Sequence, residues 1–191
     1  MVFENPAFLM AVGLSVTALI VYTILIFNGL VSLKNNIRKS WANIDVLLKQ
    51  RSDELPRLVE TVKGYMKHEK DVFTTIARAR TEMMGAQKMT QKAESSNEIT
   101  EALKTIFALS ENYPELKANE NFLKLQERIT GLENEIADRR EFYNDSVNAY
   151  NTRIQLFPDV IIAKAAGYTE PEQYFKATDE EKRSVSIAPL E

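Results

Sequence analysis

The run AFLMAVGLSVTALIVYTILIFNGLVSL, residues 7–33, contains no charged residue. A helix crosses the hydrocarbon core of a bilayer in about 20 mostly apolar residues, so this run is long enough to span one. Its polar members, Ser15, Thr17, Thr23, Asn28 and Ser32, are uncharged, and hydroxyls can bond back to helix carbonyls. A cleaved signal peptide fits less well. Such a peptide opens with positive charge and has a shorter apolar region, whereas the first charge here is Glu4 and the run leads straight into Lys34. Residues 7–33 are expected to form a retained transmembrane helix, with residues 1–6 as a short extracytoplasmic N-terminus and no sensor domain outside.

All 24 basic residues lie at Lys34 or beyond, and Lys34, Arg38 and Lys39 flank the C-terminal end of the span. By the positive-inside rule this asymmetry predicts that the remainder of the chain is cytoplasmic. The same three cations are candidate contacts for anionic lipid headgroups, at about 1 kcal/mol each near the surface. Past the span the chain holds 24 basic groups against 26 acidic ones, the total of 27 less Glu4. That near balance argues against nucleic acid as a partner, because counterion release needs a basic face.

From Lys34 the pattern becomes a heptad seam. Ile37, Trp41, Ile44, Leu48, Leu55, Leu58, Val62 and Tyr65 recur at alternating spacings of four and three, with Arg51 as the one polar occupant, and the phase continues to Val72, Ile76 and Ala79. Pro56 falls within the seam, which predicts a kink or a helix restart. The stretch GAQKMTQKAESSNE, residues 85–98, reads as a solvated connector or frayed helix end. A short amphipathic helix bearing Ile99, Leu103, Ile106 and Phe107 follows. A second seam runs from Phe122 through Ile129, Ile136, Tyr143, Val147, Tyr150 and Ile154 to Phe157. Trp41 and Phe157 are expected to be core anchors. Pro158 should stop this helix, Gly167 should cap another, and Thr169 with Glu172 has the spacing of a capping box opening a further turn beneath Tyr174 and Phe175. The tail from Lys182 to Glu191 is expected to be flexible.

Between the two seams lies LSENYPELKAN, residues 109–119. Pro114 disfavours helix at Tyr113, and Asn119 or Asn121 can cap the following helix, so the stretch reads as a corner. Tyr113 and Glu115 are the candidate partner contacts should it instead be a binding loop. Arg51 has Asp53, Glu54 and Glu60 as local candidate partners and Glu133 and Glu135 as remote ones; snorkelling to solvent is the favoured reading. His68 stands in HEKDV and is the sole histidine, so neither a paired-histidine zinc site nor a di-iron bundle can be built. Without cysteine there is no thiolate ligand or nucleophile, and no glycine-rich phosphate loop or nucleophile elbow occurs. No catalytic, cofactor-binding or metal residue is therefore assigned.

Two blocks carry a family resemblance. IDVLLKQRSDELPRLVETVKGYMKHEKDVFTTIARAR and LSENYPELKANENFLKLQERITGLENEIADRREFYNDSVNAYNTRIQLFP, in this order behind an apolar helix, resemble the LemA family of bacterial membrane proteins. The resemblance implies a single-pass protein of the bacterial inner membrane with a long-helix bundle and no assigned reaction or cofactor. Relatives in that family are often encoded near membrane metallopeptidases of the HtpX type, and one branch takes part in magnetosome membrane formation.

The expected fold class is all-α: an N-terminal transmembrane helix followed by an elongated antiparallel long-helix bundle of three or four helices over residues 34–181. The expected function is a non-enzymatic, membrane-anchored scaffold or adaptor. Its expected partners are membrane lipid, a second copy of itself, and a membrane metallopeptidase or other membrane protein. The alternative is a signalling component that passes a signal through a bundle kinked at Pro56.

Overall fold

A computed structural model of the protein describes residues 5–175, and among these every regular element is helical. The elements are α1 (Pro6–Lys63), α2 (Lys70–Gly85), α3 (Met89–Ser110), α4 (Pro114–Lys117), α5 (Glu120–Arg153) and α6 (Asp159–Ala165). The expected tail from Lys182 and most of the expected N-terminal segment lie outside the described residues. The chain divides into two compact units, to each of which α1 and α5 both contribute.

One unit comprises the first part of α1, to Trp41, and the chain from Phe142 to Tyr174. Here α5 runs antiparallel to α1. Tyr143 meets Trp41 edge-on at 5.9 Å, Tyr150 lies beneath the Lys34 ammonium, and Arg153 lies against Gly29. Trp41 is half-buried rather than a sealed core anchor. Phe157 departs from expectation altogether, being 81% exposed. The seam ends with the helix: α5 stops at Arg153, Ile154 is its last buried apolar residue, and the following turn faces Phe157 outward. Gly167 caps α6 as expected. With φ at +78°, it lets its own N–H reach the Lys164 carbonyl at 3.2 Å and that of Tyr168 reach Ala163 at 2.8 Å. The expected capping box at Thr169 and Glu172 does not form, and residues 168–175 are not helical. Asn151 competes for that backbone, accepting from the Glu172 N–H at 2.8 Å and donating to its carbonyl at 2.9 Å.

The other unit comprises residues 42–141, with Phe175. Two pairings fix α3 parallel to α1, Asp45 with Lys92 and Arg51 with Ser96. Three more fix α5 antiparallel to both: Tyr65 with Asn119, Glu54 with Arg128, and Arg51 with Glu133. With α2 folded back between α1 and α3, the unit is an up-down-up-down four-helix bundle. The predicted seam is its core. Ile44, Leu48, Leu55, Leu58 and Val62 of α1, Ile76 and Ala79 of α2, and Ile129, Leu132 and Ile136 of α5 are all buried. Asn119 rather than Asn121 caps α5, its side-chain oxygen accepting from the N–H groups of Asn121 and Phe122 at 2.9 and 3.1 Å.

Two expectations change in this unit. Residues 85–98 are not a connector: the break is confined to Ala86–Lys88, and α3 starts at Met89 with Ala93, Ser95 and Ser96 buried. Their small side chains, read above as loop composition, bring α3 close to its neighbours. Nor does Pro56 restart the helix, since α1 continues unbroken to Lys63. Lacking an N–H, Pro56 cannot serve the carbonyl of Ser52 one turn back. Arg80 of α2 serves it instead, its Nε donating at 3.0 Å.

This substitution of a tertiary bond for a helical one is testable by a double-mutant cycle on the detergent-solubilised protein. Arg80→Ala is expected to cost about 1 kcal/mol in thermal or denaturant unfolding. In the Pro56→Ala background, where the helix supplies its own donor, the same change is expected to cost a small fraction of that. Equal costs in both backgrounds would show that Arg80 acts elsewhere.

Candidate functional site

Among the described residues one cation is fully buried. Arg51 occupies a seam position of α1, where the heptad repeat aims the side chain into the core and where it has no access to solvent. Snorkelling, favoured from the sequence, does not occur. Nη1 donates to Glu133 Oε1 at 2.5 Å and to Thr100 Oγ1 at 2.9 Å, while Nη2 donates to Ser96 Oγ at 2.9 Å and to its carbonyl at 3.2 Å. Thr100 in turn donates to Glu133 Oε2 at 2.8 Å, so α1, α3 and α5 share one network. Burial pushes the guanidinium below its ordinary pKa; the charge of Glu133 and its hydrogen bond oppose this, and the charge of Arg140 adds to it. Arginine remains charged throughout. A shorter link runs beside it, Arg128 Nε to Glu54 Oε1 at 2.8 Å. The remote candidate Glu133 is thus the partner of Arg51, and the local Glu54 serves Arg128.

Ser96 and Thr100 were not singled out from the sequence. Extending the phase of Ile99 and Leu103 back by a turn would have placed Ser96 on the buried face, which is the signal that the small-residue composition obscured.

A second polar cluster lies in the other unit, where α1 leaves its apolar run. Lys34 forms an ion pair with Glu172 at 3.3 Å, and its ammonium stands 5.7 and 5.6 Å from the ring centroids of Tyr150 and Tyr168. Asn151 holds the Glu172 backbone in place for this pair. Lys34 is accordingly half-buried against protein, while Arg38 and Lys39 remain exposed. Tyr143 is fully buried and donates to the Gln173 carbonyl at 2.9 Å. Desolvation, with a smaller effect from the Glu172 charge, pushes its phenol up to about 12.

The remaining sequence candidates are scattered. Tyr113 is half-buried at the N-terminus of α4, Glu115 is exposed on α4, and His68 is exposed in the turn between α1 and α2. Leu116 is the buried residue of that corner. Among the described residues no cluster of three or more His, Asp or Glu side chains could hold a metal ion. What the two polar networks do chemically is cross-brace helices: each places donors and acceptors from three segments in fixed geometry.

The fold thus defines an all-α protein whose first helix combines a membrane-length apolar run with one wall of a polar-braced bundle. The LemA family profile matches residues 40–188, most of the chain, and the protein belongs to the LemA family. It is similar to the magnetosome protein MamQ 2 of Paramagnetospirillum magneticum, 21% identical over 187 residues that cover 84% of this chain and 69% of that protein. The magnetosome protein MamQ of Magnetospirillum gryphiswaldense is 20% identical over the same shares. Protein LemA of Metamycoplasma hominis is 24% identical over 131 residues, 68% of this chain and 60% of that protein.

Removing one partner of a buried ion pair strands the other, whereas removing the buried charge itself does not. Glu133→Ala is therefore expected to destabilise by about 3 kcal/mol, and Arg51→Met, of similar volume, by much less. Adding Arg51→Met to Glu133→Ala should restore stability, which urea unfolding of all three variants will check. Tyr143 gives a pH signature. A phenol whose pKa is raised by folding contributes stability that is whole below pH 10 and declines as the pH rises toward about 12. Tyr143→Phe is expected to flatten that alkaline decline, and an unchanged slope would assign it to other groups.

Proposed function

We propose that the protein is a non-enzymatic, membrane-anchored helical scaffold or adaptor, which holds its bundle at the cytoplasmic face of the bacterial inner membrane and there binds copies of itself or another membrane protein. One observation carries this reading. The large apolar side chains of α1 from Phe8 to Leu25 are exposed, and only 6% of its most apolar 18-residue window is buried in protein, yet the same helix continues without interruption into the packed seam. A core helix of a water-soluble fold would bury that window; a helix solvated by lipid exposes it. Ser15, Thr17 and Thr23 return their hydroxyls to the carbonyls of Ala11, Gly13 and Leu19, each at 2.9 Å, so the exposed run also hides its polar groups.

One unbroken helix carries both the apolar run and a wall of the bundle, which suits a membrane-anchored scaffold. Arg38 and Lys39, exposed just beyond the span, support cytoplasmic placement of the bundle. Similarity to magnetosome proteins, and a family resemblance that carries no reaction, support a structural role over an enzymatic one. A membrane metallopeptidase is one candidate partner class.

The chain has no cysteine, so single cysteines report topology directly. In intact cells a cysteine at Asn5 is expected to react with an impermeant maleimide and one at the exposed Gln87 is not; the reverse pattern overturns the orientation. Crosslinking in native membranes followed by mass spectrometry is expected to yield a ladder of self-adducts or one stoichiometric membrane protein. Recovery of uncrosslinked monomer alone would overturn the scaffold reading.

A further inference from the structure

The unit that contains the apolar run of α1 has a second apolar surface, formed by the turn after α5 and by α6. Leu156 is 55% exposed, Phe157 81% and Ile161 59%. They do not contribute to the core, and α6 is anchored by other residues, with Ala163 buried and Asp159 held by Arg153 Nε at 2.6 Å.

Their depth follows from the register of α5 on α1. Going down α5, Tyr143 meets Trp41, Tyr150 meets Lys34, and Arg153 meets Gly29. The approach at Gly29 is close enough that a Cβ there would lie 2.6 Å from the Arg153 guanidinium. The turn that follows is tied to this level, because Arg153 also holds Asp159 at the start of α6. Tyr168, just after α6, then meets Phe27 at a tilt, with ring centroids 6.3 Å apart. The stretch of α1 from Phe8 to Phe27, exposed but for Ile26, measures roughly 30 Å at 1.5 Å per residue, the thickness of a bilayer's hydrocarbon core. Ile26 and Leu30 are where α1 first becomes buried in protein. With α1 read as a span, Phe27 lies at the edge of the hydrocarbon, and the elements that touch it stand at that edge.

We infer that Leu156, Phe157 and Ile161 insert into the headgroup–acyl boundary of the bilayer that α1 crosses, giving the protein a second, interfacial membrane contact beside its span. The surface is suited to this. Aromatic and aliphatic side chains with the backbone tied down are what the boundary accepts. The Leu156 carbonyl accepts from Val160 at 2.8 Å, the Pro158 carbonyl accepts from Ile161 at 3.1 Å, and the Leu156 N–H is given to Thr152 at 3.1 Å. Lys164, exposed on α6, supplies a cation for the headgroup layer. Such a contact fixes the tilt and rotation of the span, which one crossing helix alone leaves free. A second copy of the chain is the competing occupant, but the continuity of this surface with the exposed apolar run favours lipid.

This inference rests on the reading of α1 as a span, and the test separates the two. The full chain is reconstituted in vesicles of phosphatidylcholine and phosphatidylglycerol, with a nitrobenzoxadiazole label on single cysteines introduced as Phe157→Cys, Ile161→Cys, Leu19→Cys or Glu115→Cys. Lipids brominated near the headgroup are expected to quench the labels at 157 and 161 several-fold more than at Glu115, and aqueous iodide to quench them several-fold less. Labels at 157 and 161 that respond to iodide as Glu115 does, while Leu19 is quenched by lipid, would overturn the interfacial contact and leave the span intact. Shielding from iodide without lipid quenching would assign the surface to a second copy and equally overturn it. Absence of quenching at Leu19 by lipids brominated deep in the acyl chains would overturn the span itself, and the inference with it.

Discussion

A guanidinium taken out of water must be given back the hydrogen bonds and countercharge it has lost, and Arg51 imposes that demand on the bundle. The requirement fixes more than one residue. Glu133 has to lie opposite on α5, Ser96 and Thr100 have to face inward from α3, and the small residues around Ser96 have to admit the approach. A slip of α3 or α5 by one turn would leave a charge buried and unpaired. Leucines in the same seam would tolerate that slip, because hydrophobic contact is indifferent to register. The network costs desolvation and provides alignment, the role best attested for polar residues at seam positions.

Periodicity made most of this architecture legible. Residues from Ile37 to Val62 and from Phe122 to Ile154 repeat at the helical spacing and are buried almost without exception, so both long helices and their inner faces follow from the chain alone. Composition misled where it was read in place of phase. Ser95 and Ser96 looked like loop residues, although their neighbours Ile99 and Leu103 continue the same face. Phe157 sits in register with Tyr143 and Tyr150, but register means nothing once the helix has ended, and nothing local in the residues after Arg153 announces that end before Pro158. Thr169 and Glu172 have capping-box spacing, yet Asn151, distant in sequence, takes the backbone groups such a box would use. Arg51 shows the same limit. Its sequence neighbourhood and the second seam offer several carboxylates, and only the folded chain chooses Glu133 among them.

The boundary between the apolar run and the rest of α1 is also handled by long-range pairing. Lys34 reads from the sequence as a headgroup contact, but Glu172 and two tyrosine rings hold it against protein. Arg38 and Lys39, one turn on, keep the exposed positive charge. Three cations that look alike in the sequence thus differ in the fold, one paired within the protein and two exposed.

The hydrogen bond from Arg80 to Ser52 has a consequence for how α1 comes into being. In an ordinary helix each turn is completed by residues synthesised almost at once, and its integrity is a private matter of that segment. At Pro56 the completing donor comes from another helix, 28 positions along the chain from the carbonyl it serves. That turn of α1 therefore gains its full set of hydrogen bonds only once α2 has docked. The continuity of α1 past Pro56 is in this sense a property of the closed bundle rather than of the helix alone.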